Sequence, residues 1–302
     1  GDENLALAFF NLVLHGHYGQ DFYYHSLPPF YPPFYFWLVG SLARLVTANA
    51  VAAAKLGVAL VLAAWVAVPY LLHRFTWRQA VDELEPVATS PWYWLLAPVV
   101  AMLLLDFDAV MFKPFEAFTA VVVVALVSCL SVALHQERWP RVWWMLFTLA
   151  AGLSLLTYYF WFVVAAPVLA LVASAGASWK RAWTRLLGVG VGAALVAAPY
   201  WVPLVVSFLR FGMEDWQGNY FLPQDLATFN PWFALSLRGV LALIGLGGLI
   251  LGSLHSKAVR SVIILFVGCY VYQLVALASL LMGGRPLVAS KPFFFLGTAA
   301  LA

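Results

Sequence analysis

An all-α polytopic membrane protein is what this sequence predicts, on three observations. Of its 302 residues, 64% are hydrophobic and only 10% charged, whereas a soluble domain is about a quarter charged. Apolar runs of membrane-spanning length recur from end to end, and one crossing needs roughly 20 such residues. The alternating strands of about 10 residues that mark a transmembrane barrel are missing from the pattern. The net charge of +3 is small and split among loops, so nothing points to nucleic acid. Cys129 and Cys269 lie inside apolar runs and read as small core residues, not as a disulfide or metal pair.

Complete spans are expected at about 50–72, 92–105, 117–134, 142–157, 161–177, 186–207, 239–254 and 261–281, with a truncated ninth from about 292. The chain opens on Gly1-Asp2-Glu3 without an initiator Met, and its last apolar run stops at Ala302. Both ends read as cuts in a longer protein, with segments missing on each side. Positive charge in short loops sets orientation. Arg74, Arg78, Arg138, Arg141, Lys180, Arg181, Arg185, Lys257 and Arg260 fall in alternate connections, nine basic residues against the four acids Asp82, Glu83, Glu85 and Glu137. Those connections are expected to be cytoplasmic, in a plasma-membrane protein whose active face is outward.

Residues 1–49 then form one outer loop ahead of a transmembrane module over 50–302. The stretch "FYFWLVGSLARLVTA" at 34–48 cannot cross and is expected to lie at the interface. The proline-rich "LPPFYPP" (Leu27–Pro33) would be the bend that lays it there, since proline at a helix start loses no internal hydrogen bond. From Glu3 to His17, Asn4, Asn11 and His15 fall at near-helical spacing among apolar residues, the pattern of an interfacial helix. Asp2 is its expected N-cap.

The candidate chemistry sits in the outer connections. Asp2 and Glu3 read either as a helix start or as a carboxylate pair at the membrane surface, acting as general base or metal ligand. "DFDAVMFKPFE" (Asp106–Glu116) reads either as a solvated hairpin or as a functional boundary cluster, because charges at a membrane boundary are functional candidates by default. "TYYFW" (Thr157–Trp161) is an aromatic belt or a platform for a sugar or lipid headgroup. Arg285 and Lys291, in "GGRPLVASKP", run against the positive-inside trend. Solvation or a lipid-linked phosphate would explain them. Lys55, Arg44, Arg210 and Arg238 are read as snorkelling to the headgroups. His25, beside the bend, is a proton carrier or an interfacial polar residue. The glycine clusters "GVGVG" (188–192) and "GLGGLILG" (245–252) suit close helix packing. No P-loop, GxGxxG after a strand, HExxH or CxxC pair is present, which leaves nucleotide and thiol chemistry without support.

"LPPFYPP" followed by "FYFWLVG" resembles the membrane module of the glycosyltransferase C superfamily, and more narrowly the AftA-type arabinofuranosyltransferases. Further echoes follow in order: "KPFEAF" at 113–118, "TYYFWFVVA" at 157–165, "YWVPLVVSFLR…YFLPQD" at 200–225 and "SKPFFFLG" at 290–297. The resemblance implies a glycosyltransferase C-type fold with interfacial helices in the first outer loop. It implies a polyprenyl-phosphate sugar as donor, arabinofuranose by this family, and a cell-envelope galactan as acceptor. The family's acidic loop position falls on Asp2, and the following Glu3 and Asn4 depart from the family's pattern.

The expected activity is an inverting sugar transfer. Asp2, with Glu3 beside it, would be the base; Lys113, Arg285 and Lys291 would bind the donor phosphate. His25, Tyr31, Glu116, Tyr158 and Tyr159 would bind substrate. A leaving phosphate does not strictly require a metal, so metal dependence stays open. The competing classes are another lipid-linked-sugar transferase, a lipid-linked-sugar flippase or transporter, and a non-catalytic scaffold. A transporter needs charged or broken helices near the midplane, whereas the charges here collect at the outer boundary.

Overall fold

The computed structural model describes residues 2–21, 28, 30–80, 99–212, 235–283, 287 and 291–301. All regular structure among the described residues is helical. In chain order the helices are α1 (Asp2–Leu14), α2 (Phe34–Arg44), α3 (Ala50–Ala80), α4 (Phe107–Phe112), α5 (Pro114–His135), α6 (Arg141–Thr157), α7 (Phe162–Ser174), α8 (Trp179–Phe211), α9 (Leu237–His255), α10 (Lys257–Gly283) and α11 (Thr298–Leu301). A 3₁₀ turn, Tyr159–Trp161, joins α6 to α7, and a π-helical segment, Phe293–Gly297, leads into α11.

Five of these are long and apolar enough to cross a membrane: Ala50–Leu72 of α3, α5, α8, α9 and α10. The spans expected at 142–157 and 161–177 are instead a pair, α6 and α7, bent by 118° at the Tyr158 break. At 17 and 13 residues each is shorter than a full crossing at 1.5 Å per residue. Helix α6 leads away from the end of α5 to the Tyr158 break and α7 leads back, with the Val172 carbonyl 2.7 Å from His135 Nε2. Most of the span expected at 92–105 lies outside the described residues; 99–104 is helical.

Helix α5 is the centre of the bundle. It packs on α3, α6, α7, α8, α10 and the π segment, and most of its side chains are buried. Its sequence explains this, since no charged residue follows Glu116 along its length and its polar side chains up to the final His135 are small: Thr119, Ser128 and Ser131. A helix apolar all round has no solvent face to offer. Two indoles fix its first turn, with Trp65 Nε1 of α3 donating to the Ala117 carbonyl at 3.0 Å and Trp161 Nε1 donating to the Glu116 carbonyl at 2.9 Å. Both indoles are fully buried.

The most extensive helix pair is α6 with α8. A Cβ on Gly192 would meet Thr148 Cγ2 at 2.4 Å, and one on Gly152 would meet Val196 Cβ at 2.5 Å. These glycines let the two backbones approach. Gly188 and Gly190 face open space, so only part of "GVGVG" serves packing.

The basic loops shrink relative to expectation. Helix α8 runs 33 residues, about 50 Å at 1.5 Å per residue, and Lys180, Arg181 and Arg185 lie inside its first turns, not in a loop. Arg74 and Arg78 lie within α3. Arg185 donates to the carbonyls of Ala133, Leu134, Gln136 and Glu137, satisfying the orphan acceptors at the α5 C-terminus. This contact, with the packing of Ser261 on Ser131 at 3.0 Å, gathers the basic starts of α8 and α10 at one end of the bundle. The start of α5 is at the other.

Helix α1 ends earlier than expected, at Leu14, and begins at Asp2 itself. Asp2 is therefore the first helical residue and not the N-cap, a position where an acid still complements the helix dipole. Ala6, Phe9, Phe10, Val13 and Leu14 are buried, Asn11 and His15 exposed. The buried side packs on α2 and α3, with Phe9 stacked on Phe36 at 4.8 Å. The proline bend is pinned from two directions: Phe30 N donates to Asp21 Oδ2 at 3.1 Å, and Tyr200 OH of α8 donates to the Phe30 carbonyl at 2.6 Å.

Candidate functional site

Pro114 opens α5 at its first position, where the missing N–H costs nothing. Glu116 follows in the first turn, where an acid suits the dipole. Unlike a solvated hairpin residue it is 3% exposed. Its Oε1 lies 3.0 Å from Lys291 Nζ, whose side chain is 19% exposed. The ammonium also lies 5.0 Å from the Tyr158 ring centroid and 5.6 Å from that of Phe160. Burial, and then the hydrogen-bonded Glu116 carboxylate, push the Tyr158 hydroxyl well above its usual range, so it stays a neutral donor. A buried carboxylate is costly unless paired and hydrogen-bonded; Lys291, Tyr158 and the helix start meet that need.

Aromatic rings extend this centre. Phe115 contacts Tyr158 at 5.8 Å and Tyr31 at 6.2 Å, and Tyr31 reaches Phe9 of α1 at 6.4 Å. Tyr159 stacks beside Tyr158 at 6.3 Å. Tyr31, Glu116, Tyr158, Tyr159 and Lys291, from four separate segments of the chain, are thus brought together. Lys113 sits between α4 and α5, three residues before Glu116. Asp2 and Glu3 open α1, and their side chains lie outside the described residues, as do His25 and Arg285.

The ammonium of Lys291 has three N–H groups. Glu116 is its one acceptor among the described residues, which leaves donors for an anion. The ion pair holds the Lys291 ammonium at the start of α5. Among the described residues no three His, Cys, Asp or Glu side chains form a metal-ligating group.

Asp21 and Gln273 went unmarked in the sequence. Asp21, 6% exposed, anchors the bend. Asp106 caps α4 through Ala109 N at 3.1 Å and pairs with Arg238 at 3.5 Å; Arg238 is tied to α4, not merely snorkelling. Gln273 of α10 is 1% exposed, and neither its Nε2 nor its Oε1 has a hydrogen-bond partner. It lies one turn beyond Cys269, whose Sγ is 4.0 Å from the Pro292 carbonyl, next to Lys291. Leaving an amide unpaired costs about 1–3 kcal/mol. Gln273→Leu is therefore expected to raise stability by about that amount in a thermal melt; a fall would mean that the amide is satisfied.

Helical spans, an aromatic-rich polar cluster at one end of the bundle and basic helix starts at the other define a multi-pass membrane protein. The family described as arabinofuranosyltransferase N terminal (AftA_N) matches residues 2–288, and the chain belongs to that family. No curated protein matches the chain.

Proposed function

We propose that this protein transfers arabinofuranose from a polyprenyl-phosphate donor to a cell-envelope galactan on the outer face of the plasma membrane. Family membership over residues 2–288 carries the reading. The gathering of Lys291, Glu116 and the tyrosines at the end away from the basic helix starts supports it. In the proposed step an acceptor hydroxyl oxygen attacks the anomeric carbon while Asp2 takes its proton. The bond from that carbon to the phosphate oxygen breaks, its electron pair leaves with the phosphate, and the configuration inverts. Lys291, with Lys113 and Arg285, offsets the developing charge. Glu116 positions Lys291, Tyr31, Tyr158 and Tyr159 offer faces and hydroxyls to the sugars, and His25 flanks the acceptor side. In this reading residues 1–49 form an outer loop with interfacial helices, ahead of the transmembrane module at 50–302.

A place for the prenyl chain is consistent with this. An apolar cavity of about 640 Å³ lies between α5, α6, α7 and α8. It runs from Leu155 and Phe162, flanking the Tyr158 turn, to Trp183 near the basic end.

The test is transfer by the full-length protein in proteoliposomes, with polyprenyl-phosphate arabinofuranose and a galactan oligosaccharide. A product whose new linkage is inverted relative to the donor, read by proton NMR, is expected. Donor hydrolysis without transfer, or equal use of unrelated lipid-linked sugars, would overturn the assignment.

A further inference from the structure

A second cavity, of about 750 Å³, lies at the opposite end of the bundle, between the C-termini of α5 and α7 and the start of α10. Leu171, Val172 and Ile264 wall it, Ser131 and Ser261 line it, and Lys257 and Arg260 stand at it. We propose that it seats one anionic phospholipid of the adjoining leaflet, its phosphate on Lys257 and Arg260 and its first acyl carbons against the apolar wall. This does not depend on the transferase reading.

Charge complementarity argues for that occupant. Neither Lys257 nor Arg260 has an ion-pair partner among the described residues. Arg260 spends only its Nε, on the Ser253 carbonyl at 3.1 Å. Arg185 nearby differs, because its guanidinium is consumed by two carbonyls at the end of α5, two just past it and the Trp144 ring at 5.2 Å. The start of α10 adds its positive dipole end.

The polar lining is preset. His135 Nε2 faces the Val172 carbonyl at 2.7 Å and must donate, so in the neutral ring Nδ1 accepts from Ser178 Oγ at 2.9 Å. Ser261 Oγ donates to the Ala258 carbonyl at 2.7 Å and Ser131 Oγ to that of Ser128 at 2.8 Å. The interior hydroxyls are therefore satisfied internally, and the two cations are left for the ligand. Basic pockets between spans with apolar walls suit lipid headgroups; a soluble anion has no use for the wall.

Native mass spectrometry of the delipidated full-length protein titrated with phosphatidylglycerol should show one saturable adduct per chain. Phosphatidylcholine should not compete for it. Lys257→Gln/Arg260→Gln should weaken it about 30-fold, the loss for two basic side chains near a headgroup. Ile264→Trp, which fills the wall and keeps both charges, should weaken it too. Lys180→Gln/Arg181→Gln, basic changes at the same end but outside the cavity, should leave it within a few-fold. Equal weakening by that control pair, or displacement by millimolar inorganic phosphate, would overturn the proposal, as would unaltered binding in the first two variants.

Discussion

Asp2→Asn is expected to lower sugar transfer by the full-length protein by about 10²–10⁴-fold, the usual loss on removing a positioned base, with little change in thermal stability. The fold gives this contrast its force. Asp2 is the first residue of α1, where loss of the negative charge costs the helix about 0.3–1 kcal/mol through the dipole. The helix is held chiefly by Phe9, Phe10 and Val13 buried against α2 and α3, and none of these contacts changes. A structural role for Asp2 thus predicts a small shift in melting and near-parental transfer. Asn matches the carboxylate in size but cannot accept the acceptor's proton. An Asn variant that melts normally and transfers within a few-fold of the parent would remove Asp2 as the base, and Glu3→Gln would then be the next variant to measure.

Breaking the Glu116–Lys291 pair is expected to destabilise the protein strongly, and removing both partners much less. Lys291→Met leaves a carboxylate with a 4% exposed side chain without its cation. Stranding one charge of a buried pair costs about 3–5 kcal/mol. Lys291 itself is 19% exposed, and partial access to water places the expectation at the low end of that range. Glu116→Gln/Lys291→Met keeps the shapes and removes both charges, so its stability should return to near that of the parent. Thermal melts of the two single variants and the double variant complete the cycle. Additive losses would mean that the two side chains are not coupled. The double variant also separates stability from function, because a folded protein without the Lys291 ammonium should transfer sugar poorly if that ammonium receives the leaving phosphate. Parental transfer by the double variant would leave Lys291 a purely structural role.

The fold was more legible in the sequence than the site. Helical spans announce themselves by length and hydropathy, because lipid offers no partner for an unpaired backbone group, and the five long helices fall on predicted segments. The α6–α7 bend was legible only as a tip at "TYYFW"; its 118° angle comes from packing of the pair on α5 and α8. Loops carrying basic residues were drawn too long, because apolarity marks where a helix meets lipid, not where its hydrogen bonds end. Helices α3 and α8 continue through Arg78 and from Lys180 as ordinary amphiphilic turns.

Composition and pattern alone determined that this is a helical membrane protein, that nine of its basic residues cluster in alternate stretches between its apolar runs, and that "LPPFYPP" and "KPFEAF" mark its unusual segments. These are properties of short windows, fixed by the cost of placing charge or unpaired backbone in hydrocarbon. Only the tertiary structure decided that Glu116 is buried, that its partner is Lys291 from 175 positions later, and that Tyr31 and Tyr158 reach the same place through Phe115. It also decided that Arg185 caps a helix while Lys257 and Arg260 stand at a cavity. A charge reads alike in a sequence whether water, a carbonyl or a carboxylate surrounds it. Which of these it meets depends on residues that the chain brings near only when the helices pack.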